Sequence, residues 1–385
     1  MIPYGRQDVD DADIAAVVEV LRSDWLTQGP TVELFENSVS QYCRARHAVA
    51  ASSATAALHL AYLALGLGKG DILWTSPNTF VATANAALYC GAQVDFVDID
   101  PRTYNLSPEA LEEKLKGAAR ENRLPKIVVP VHFAGQSCDM ESIFKLSQDY
   151  GFQLVEDASH AIGGEYQGEQ IGSCKYSAIT VFSFHPVKII TTGEGGMAVT
   201  NTPALANRMR LLRSHGITRS PSEMTGESEG PWYYQQIALG LNYRMTDIHA
   251  ALGASQLRRI DEFIARRRYL AARYDELMAG LPLQVPEQHE AGRSAWHLYA
   301  VQLLLERLKK SRREIFEDLR HAGIGVHVHY IPVHRQPYYR ESGWQEGSYP
   351  QAEKFYRRAL SLPLFPGLKD ADQEKVVANL QEILE

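Results

Sequence analysis

Leu154-Val-Glu-Asp157-Ala-Ser-His160, followed along the chain by Val181-Phe-Ser-Phe-His-Pro-Val-Lys188 and Thr191-Thr-Gly-Glu-Gly-Gly196, sets the pattern for the whole sequence. The first two are short apolar runs that stop at polar residues, as expected of strands buried on both faces. Outward from them, apolar runs recur at His47 to Ala50, Ile72 to Thr75, Val94 to Val97, Ile127 to Val131, Gln153 to Val155, Ala178 to Phe182 and Met197 to Thr200. Helical spacing fills the gaps at Thr55 to Leu65, Phe80 to Cys90, Pro108 to Ala118 and Met140 to Tyr150. The alternation predicts an α/β fold, a mainly parallel sheet covered on both faces, with ligands at the carboxyl ends of the strands.

Two helices open the chain, Asp11 to Leu21 and Thr31 to Tyr42, with a polar and aromatic loop between them, Ser23 to Pro30, that could cover a ligand. Ser220 to Gly230 reads as a mobile loop, and Thr246 to about Asp275 as one long helix. Beyond Pro282, strands at His297 to Leu304 and Gly325 to Tyr330 and helices at Ser311 to Ala322, Ala352 to Ala359 and from Ala371 predict a smaller α/β domain. The division drawn is a large domain over 1–255, carrying the N-terminal helices, and a small C-terminal domain over 256–385.

With 385 residues, 45% apolar and 22% charged, the chain is an ordinary globular protein long enough for two domains. The net charge of -7 is spread along the sequence, which argues against nucleic acid or anionic membrane as a partner. The cluster Arg266-Arg-Arg268 reads as the solvated face of a helix. Cys43, Cys90, Cys138 and Cys174 have no metal-ligand spacing and read as reduced thiols. With no leader-like N-terminus and no apolar run of membrane-spanning length, a cytoplasmic protein without a membrane anchor is expected.

Lys188 follows an apolar strand, a Ser and a Pro and then meets a glycine-rich turn, a setting unlike that of a surface lysine. Removed from bulk water, its ammonium gives up a proton more readily, leaving the amine needed to hold an aldehyde and move protons. Asp157 alone would read as a helix cap. With Lys188 at another strand end of the same sheet, it reads as the acidic partner of a ring nitrogen. Lysine and carboxylate so placed suit pyridoxal 5′-phosphate, which uses a lysine for its aldehyde and a protonated pyridine as electron sink. Its phosphate would sit where Ala51-Ser-Ser-Ala-Thr-Ala-Ala57 turns from strand to helix, with the Ser183 hydroxyl as a further donor. Phe80, at the start of a helix after Pro77-Asn-Thr, is placed to stack on the ring. His160 either reaches the cofactor's phenolic oxygen or fills the turn. In Gly240-Leu-Asn-Tyr-Arg-Met-Thr-Asp247 a helix start explains Thr246 or Asp247, but not Asn242 and Arg244. His327 and His329 would share one strand face, yet no Cys or carboxylate joins them. Substrate hydrogen bonding by His329 and Tyr330 is the better reading, and no metal site is expected.

Together these motifs resemble the DegT/DnrJ/StrS family of sugar-nucleotide aminotransferases, from the Gly29-Pro30 loop through Val155-Glu-Asp157, Ser183 to Lys188, Gly193 to Gly196 and Asn242-Tyr-Arg244 to His329-Tyr-Ile-Pro332. The resemblance implies the fold of type I pyridoxal-phosphate enzymes. Through Ser183 to Gly196 and His329 to Tyr339 it is strongest to the aminotransferases of pseudaminic acid biosynthesis. It implies that Lys188 carries the cofactor, Asp157 pairs with the pyridinium, Phe80 stacks on the ring, and Ser183 with the Ala54, Thr55 and Ala56 region holds the phosphate. It also implies a homodimer with shared sites, Asn242 reaching the phosphate of the neighbouring subunit's cofactor. Tyr4, the Trp25-Leu26-Thr27 loop, Ser183, Tyr243, His329 and Tyr330 would face a UDP-4-keto-6-deoxy-N-acetylhexosamine, with L-glutamate as amino donor. The reaction implied is amination at C4 of UDP-2-acetamido-2,6-dideoxy-β-L-arabino-hex-4-ulose to UDP-4-amino-4,6-dideoxy-N-acetyl-β-L-altrosamine. Two positions depart from the family's habit: Ala54-Thr55 stands where Gly-Thr is common, and His160 where Gln is.

Other readings use the same residues. Amination of a bacillosamine-type or perosamine-type 4-keto sugar needs the same lysine. A related dehydratase would carry His in place of that lysine, but here Lys188 holds the motif position. A regulatory protein on this fold finds no support in a DNA-binding module or basic patch.

Overall fold

The apolar runs form one seven-stranded sheet, ordered His47–Ala51, Gly196–Thr200, Ile179–Ser183, Gln153–Asp157, Ile127–Val129, Ile72–Thr75, Gln93–Phe96, in a computed structural model that describes residues 1–385. Alternation along each strand sorts its side chains between two cores. Val49, Val155, Val181 and Ala198 pack on the side of the helices Ala54–Ala64 and Pro203–Arg213. Ala50, Phe182, Met197 and Val199 pack on the other, against Pro30–Cys43 and Asp247–Leu257. Phe182 has no exposed surface, so its truncation to Ala would cost about 3–5 kcal/mol.

One strand breaks the parallel pattern. Gly196–Thr200 runs antiparallel to both neighbours, His47–Ala51 and Ile179–Ser183. Parallel neighbours need a long crossover, usually a helix, and residues 184–195 contain none. They form instead a hairpin loop in which Phe184 N–H donates to the Gly195 carbonyl (2.9 Å) and Thr192 N–H to the Phe184 carbonyl (3.0 Å). Lys188 lies in this loop.

The C-terminal part holds a three-stranded antiparallel sheet, Leu283–Gln284, Tyr299–Leu303 and Ala359–Leu362, packed with the helices Arg312–His321 and Asp370–Leu384. The strand expected at Gly325 to Tyr330 does not form. Gly325 N–H bonds the Ile2 carbonyl, where a Cβ would come within 2.9 Å of that oxygen, while His327 pairs with Ser361. The segment thus divides its backbone bonds between two partners. The chain start is drawn into this part of the molecule, since Leu364 N–H also donates to the Tyr4 carbonyl at 2.9 Å.

The single helix expected over Thr246 to Asp275 is two, Asp247–Leu257 and Ile260–Leu277. Arg259 leaves helical geometry at the junction (φ -105°, ψ 7°), and its guanidinium bonds Asp8 (2.9 Å), Asp10 (3.1 Å) and Asp13 (2.7 Å) of the N-terminal segment. The basic cluster also differs from expectation. Arg267 is 1% exposed and donates to the carbonyls of Trp296, His297 and Leu364. Successive helical residues point about 100° apart, so three in a row cannot share a solvated face. Arg266 bonds Asp370, and Arg268 the Ser294 carbonyl. Ser220 to Gly230 contains neither helix nor strand, and no helix is long and apolar enough to cross a membrane.

Candidate active site

The parallel strands Ile179–Ser183 and Gln153–Asp157 end side by side, with Asp157 opposite Val181 in register. The start of the helix Ala54–Ala64 stands at the same edge of the sheet. Its N-cap Ser53 accepts from Ala56 N–H at 3.1 Å, which leaves the first N–H groups of the helix, on Ala54 and Thr55, without intrahelical acceptors. Gly196 makes this approach possible, because a Cβ there would lie 2.5 Å from Ala54 N.

These ends enclose a cavity of about 540 Å³. Tyr4, Ala54, Thr55, Phe80, Asp157, His160, Ser183, Lys188, His329 and Tyr330, all named from sequence, line it together. Ala56 stands behind them as the donor to Ser53. The remaining residues named from sequence lie elsewhere on this chain. Trp25 and Leu26 are exposed, Thr27 pairs with Thr246, Asn242 is exposed beside Ser214, and the Tyr243 hydroxyl is 3.2 Å from His59 Nδ1. The loop Ser23 to Pro30 therefore does not cover its own chain's cavity. Asp247 explains its path, since its carboxylate accepts from Gly29 N–H (2.8 Å) and Thr31 N–H (2.9 Å) at the start of Pro30–Cys43, while Thr246 caps its own helix.

Burial lowers the Lys188 amine to about 8, against a smaller upward pull from Asp157. Three histidines around it are held neutral. Burial drives His160 and His297 far below the usual imidazole range, and His329 down to about 3, with Lys188 adding to the effect on each. Ala134 N–H donates to His160 Nδ1 (3.3 Å), so the ring hydrogen sits on Nε2 and is donated to the Tyr330 hydroxyl at 3.0 Å. Both nitrogens of His160 are thus engaged by protein groups, and the Tyr330 phenol, kept protonated by burial, is left to donate elsewhere. His329 Nδ1 is 2.8 Å from the Ser361 hydroxyl, and the His327 and His329 rings stack at 4.6 Å. Phe80 is 59% exposed, its ring open to the cavity.

Sequence reasoning did not assign Thr79, Thr83, His297 or Glu194 to the site, yet all four line the cavity. Thr83 had a weak signal, standing three residues after Phe80 at the start of the same predicted helix, which in the structure begins only at Ala82. His297 had none, because it lies outside any helix or strand and its carbonyl is bonded by the buried Arg267 of the helix Ile260–Leu277, far away in sequence.

The donor set fits pyridoxal 5′-phosphate. A helix start with free N–H groups and a serine hydroxyl suits the phosphate, an amine of lowered basicity suits the aldehyde, and a buried carboxylate suits the ring nitrogen. The comparisons with known proteins agree. The model of the DegT/DnrJ/EryC1/StrS aminotransferase family matches residues 7–381. The spore coat polysaccharide biosynthesis protein SpsC of Bacillus subtilis is 41% identical over 100% of this chain and 97% of its own. The UDP-4-amino-4,6-dideoxy-N-acetyl-β-L-altrosamine transaminase of Campylobacter jejuni is 39% identical over 100% and 98%. Among solved structures, Helicobacter pylori PseC, an aminotransferase involved in the biosynthesis of pseudoaminic acid, superposes with a TM-score of 0.91 at 31% identity, covering 100% of this chain and 99% of that one. The protein is a pyridoxal-phosphate-dependent aminotransferase. It belongs to the DegT/DnrJ/EryC1/StrS family.

Proposed function

We propose that this aminotransferase moves the amino group of L-glutamate to C4 of UDP-2-acetamido-2,6-dideoxy-β-L-arabino-hex-4-ulose, giving UDP-4-amino-4,6-dideoxy-N-acetyl-β-L-altrosamine. The coarser reaction, amino transfer to a 4-keto nucleotide sugar, accords with the family and its relatives. When bound, the cofactor supplies an aldehyde that takes up the amino group and a ring that accepts electrons. Lys188 would hold that aldehyde, and its amine, freed from it, would take and return the proton at the donor's Cα. Asp157 would meet the ring nitrogen, Phe80 would cover the ring, and Ser183 with the Ala54 and Thr55 N–H groups would hold the phosphate, Ala56 fixing the turn through Ser53. Tyr4, His329 and Tyr330 present neutral hydrogen-bonding groups to an uncharged sugar ring.

Asn242, Tyr243 and the Trp25-Leu26-Thr27 loop lie outside this chain's cavity. In this reading a second copy receives them in its own site, which makes the active protein a homodimer. The observation that carries the proposal is the placing of Lys188 and Asp157 in one cavity with a wall of neutral phenol and imidazole groups. Likeness to the Campylobacter jejuni transaminase supports the choice of sugar. The test is amination of a panel of UDP-, GDP- and dTDP-linked 4-keto sugars with glutamate. Fastest turnover of the named UDP sugar is expected, and faster amination of a bacillosamine-type or perosamine-type substrate would replace it.

A further inference from the structure

Asp157 is held from outside its own strand. Thr83 Oγ1, on the first turn of the helix Ala82–Tyr89, stands 2.7 Å from Asp157 Oδ2, and both side chains are buried. A threonine hydroxyl has one proton to give. The other acceptor within reach, the Phe80 carbonyl, is 3.4 Å away, so that proton goes to the carboxylate. The Thr79 hydroxyl, 2.9 Å from Thr83 Oγ1, must then be the donor of its pair. On the other side of the carboxylate, Ser159 N–H donates to Oδ1 at 3.1 Å. Each carboxylate oxygen thus has a donor, and together they set its plane.

The same residue joins three parts of the site. Its hydroxyl meets Asp157, and its carbonyl accepts from Tyr62 (3.1 Å) on the helix whose start faces the phosphate. Its backbone N–H donates to the Phe80 carbonyl at 3.4 Å. A threonine in a first helical turn often bonds only the carbonyl behind it, with no wider role. Here that bond is the long one and the carboxylate bond the short one.

We propose that Thr83 is a positioning residue for the acid at the ring nitrogen. Its hydroxyl holds Asp157 in the orientation that meets the cofactor, and Thr79 holds that hydroxyl in its donating rotamer. This rests on the pairing of Asp157 with the ring nitrogen given above, and the test separates the two.

Binding of pyridoxal 5′-phosphate and of its 1-deaza analogue, with CH in place of the ring nitrogen, is titrated by absorbance on wild type, Thr83→Val, Thr83→Ser and Asp157→Asn. Thr83→Val is expected to weaken pyridoxal 5′-phosphate roughly tenfold, the size of a lost charge-assisted bond, and the 1-deaza analogue less than about twofold. Thr83→Ser restores the difference. Equal weakening of both ligands by Thr83→Val would make the residue a mere wall of the cavity, and unchanged binding of both would remove it from the site. Either result overturns the proposal. If Asp157→Asn shows no dependence on the ring nitrogen, the Asp157 pairing fails. If Asp157→Asn shows it and Thr83→Val does not, Thr83 alone fails. Should Thr83→Val not fold, Thr79→Val carries the same comparison, because it frees the Thr83 hydroxyl to turn to the Phe80 carbonyl.

Discussion

Lys188 and Arg267 are both basic groups driven down by burial, to about 8 and about 9, and they are used in opposite ways. Arg267 shares the hydrogens of one nitrogen, Nη1, among three backbone carbonyls and so ties the helix Ile260–Leu277 to the segments around His297 and Leu364, while its Nε is buried without a partner. Lys188 sits in a hairpin loop, and its amine faces the cavity. Desolvation alone therefore does not mark a reactive base. A buried amine that opens on a cavity, with no carbonyl bonded to it, marks one, because only there can the lost hydration appear as reactivity in place of structure.

The contrast breaks if the two groups are exchanged in consequence. Lys188→Arg is expected to abolish both half-reactions, since a guanidinium stays protonated and can neither hold an aldehyde nor move the proton. Its unfolding free energy should remain within about 1 kcal/mol of wild type by urea titration, because Lys188 supports no packed carbonyls. Either retained turnover or collapse of the fold would contradict this. Arg267→Leu should do the reverse and lower stability by on the order of 3 kcal/mol, having left three buried carbonyls without their donor. A shift within the error of the urea midpoint would show that the guanidinium is dispensable.

The smallest effect sharpens the comparison. In the unbound protein Lys188 should react with an aldehyde through its neutral form, so the rate of reductive labelling should rise with pH through about 8, not through the ordinary 10.5. Because the folded value is depressed, the unfolded chain holds more protons between these limits. The amine's contribution to stability therefore improves as pH rises across that window. Asp157 pulls the amine upward, so Asp157→Asn should move the labelling midpoint lower still. A midpoint that moved up would reverse the sign assigned to that charge.

Much of this was legible in the sequence for a physical reason. Val181-Phe182 and Leu154-Val155 are buried on both faces, so adjacent rather than alternate residues are apolar, and the polar residues that follow name the edge where Asp157, Ser183 and Lys188 gather. What was not legible depends on geometry between distant segments. The direction of Gly196–Thr200 follows from the absence of a helix over residues 184–195, which apolarity by itself does not report. Arg267 looked solvated because its acceptors are backbone oxygens, which have no residue type. The helix break at Arg259 answers to Asp8, Asp10 and Asp13, far away in sequence. Trp25 and Asn242, named from the resemblance, lie outside this chain's cavity, a separation that neither residue type reports.

The Asp247 carboxylate has a practical consequence for redesign. It fastens the Gly29–Thr31 turn to the segment that follows Asn242 and Tyr243, and the Thr27–Thr246 bridge adds a second fastening. A chimaera that exchanges either stretch alone severs these ties, whereas one that exchanges residues 23–31 and 240–247 together keeps them and has only to match the bonds that Leu241 and Tyr243 make to Leu212, Arg213, His215 and Ser52.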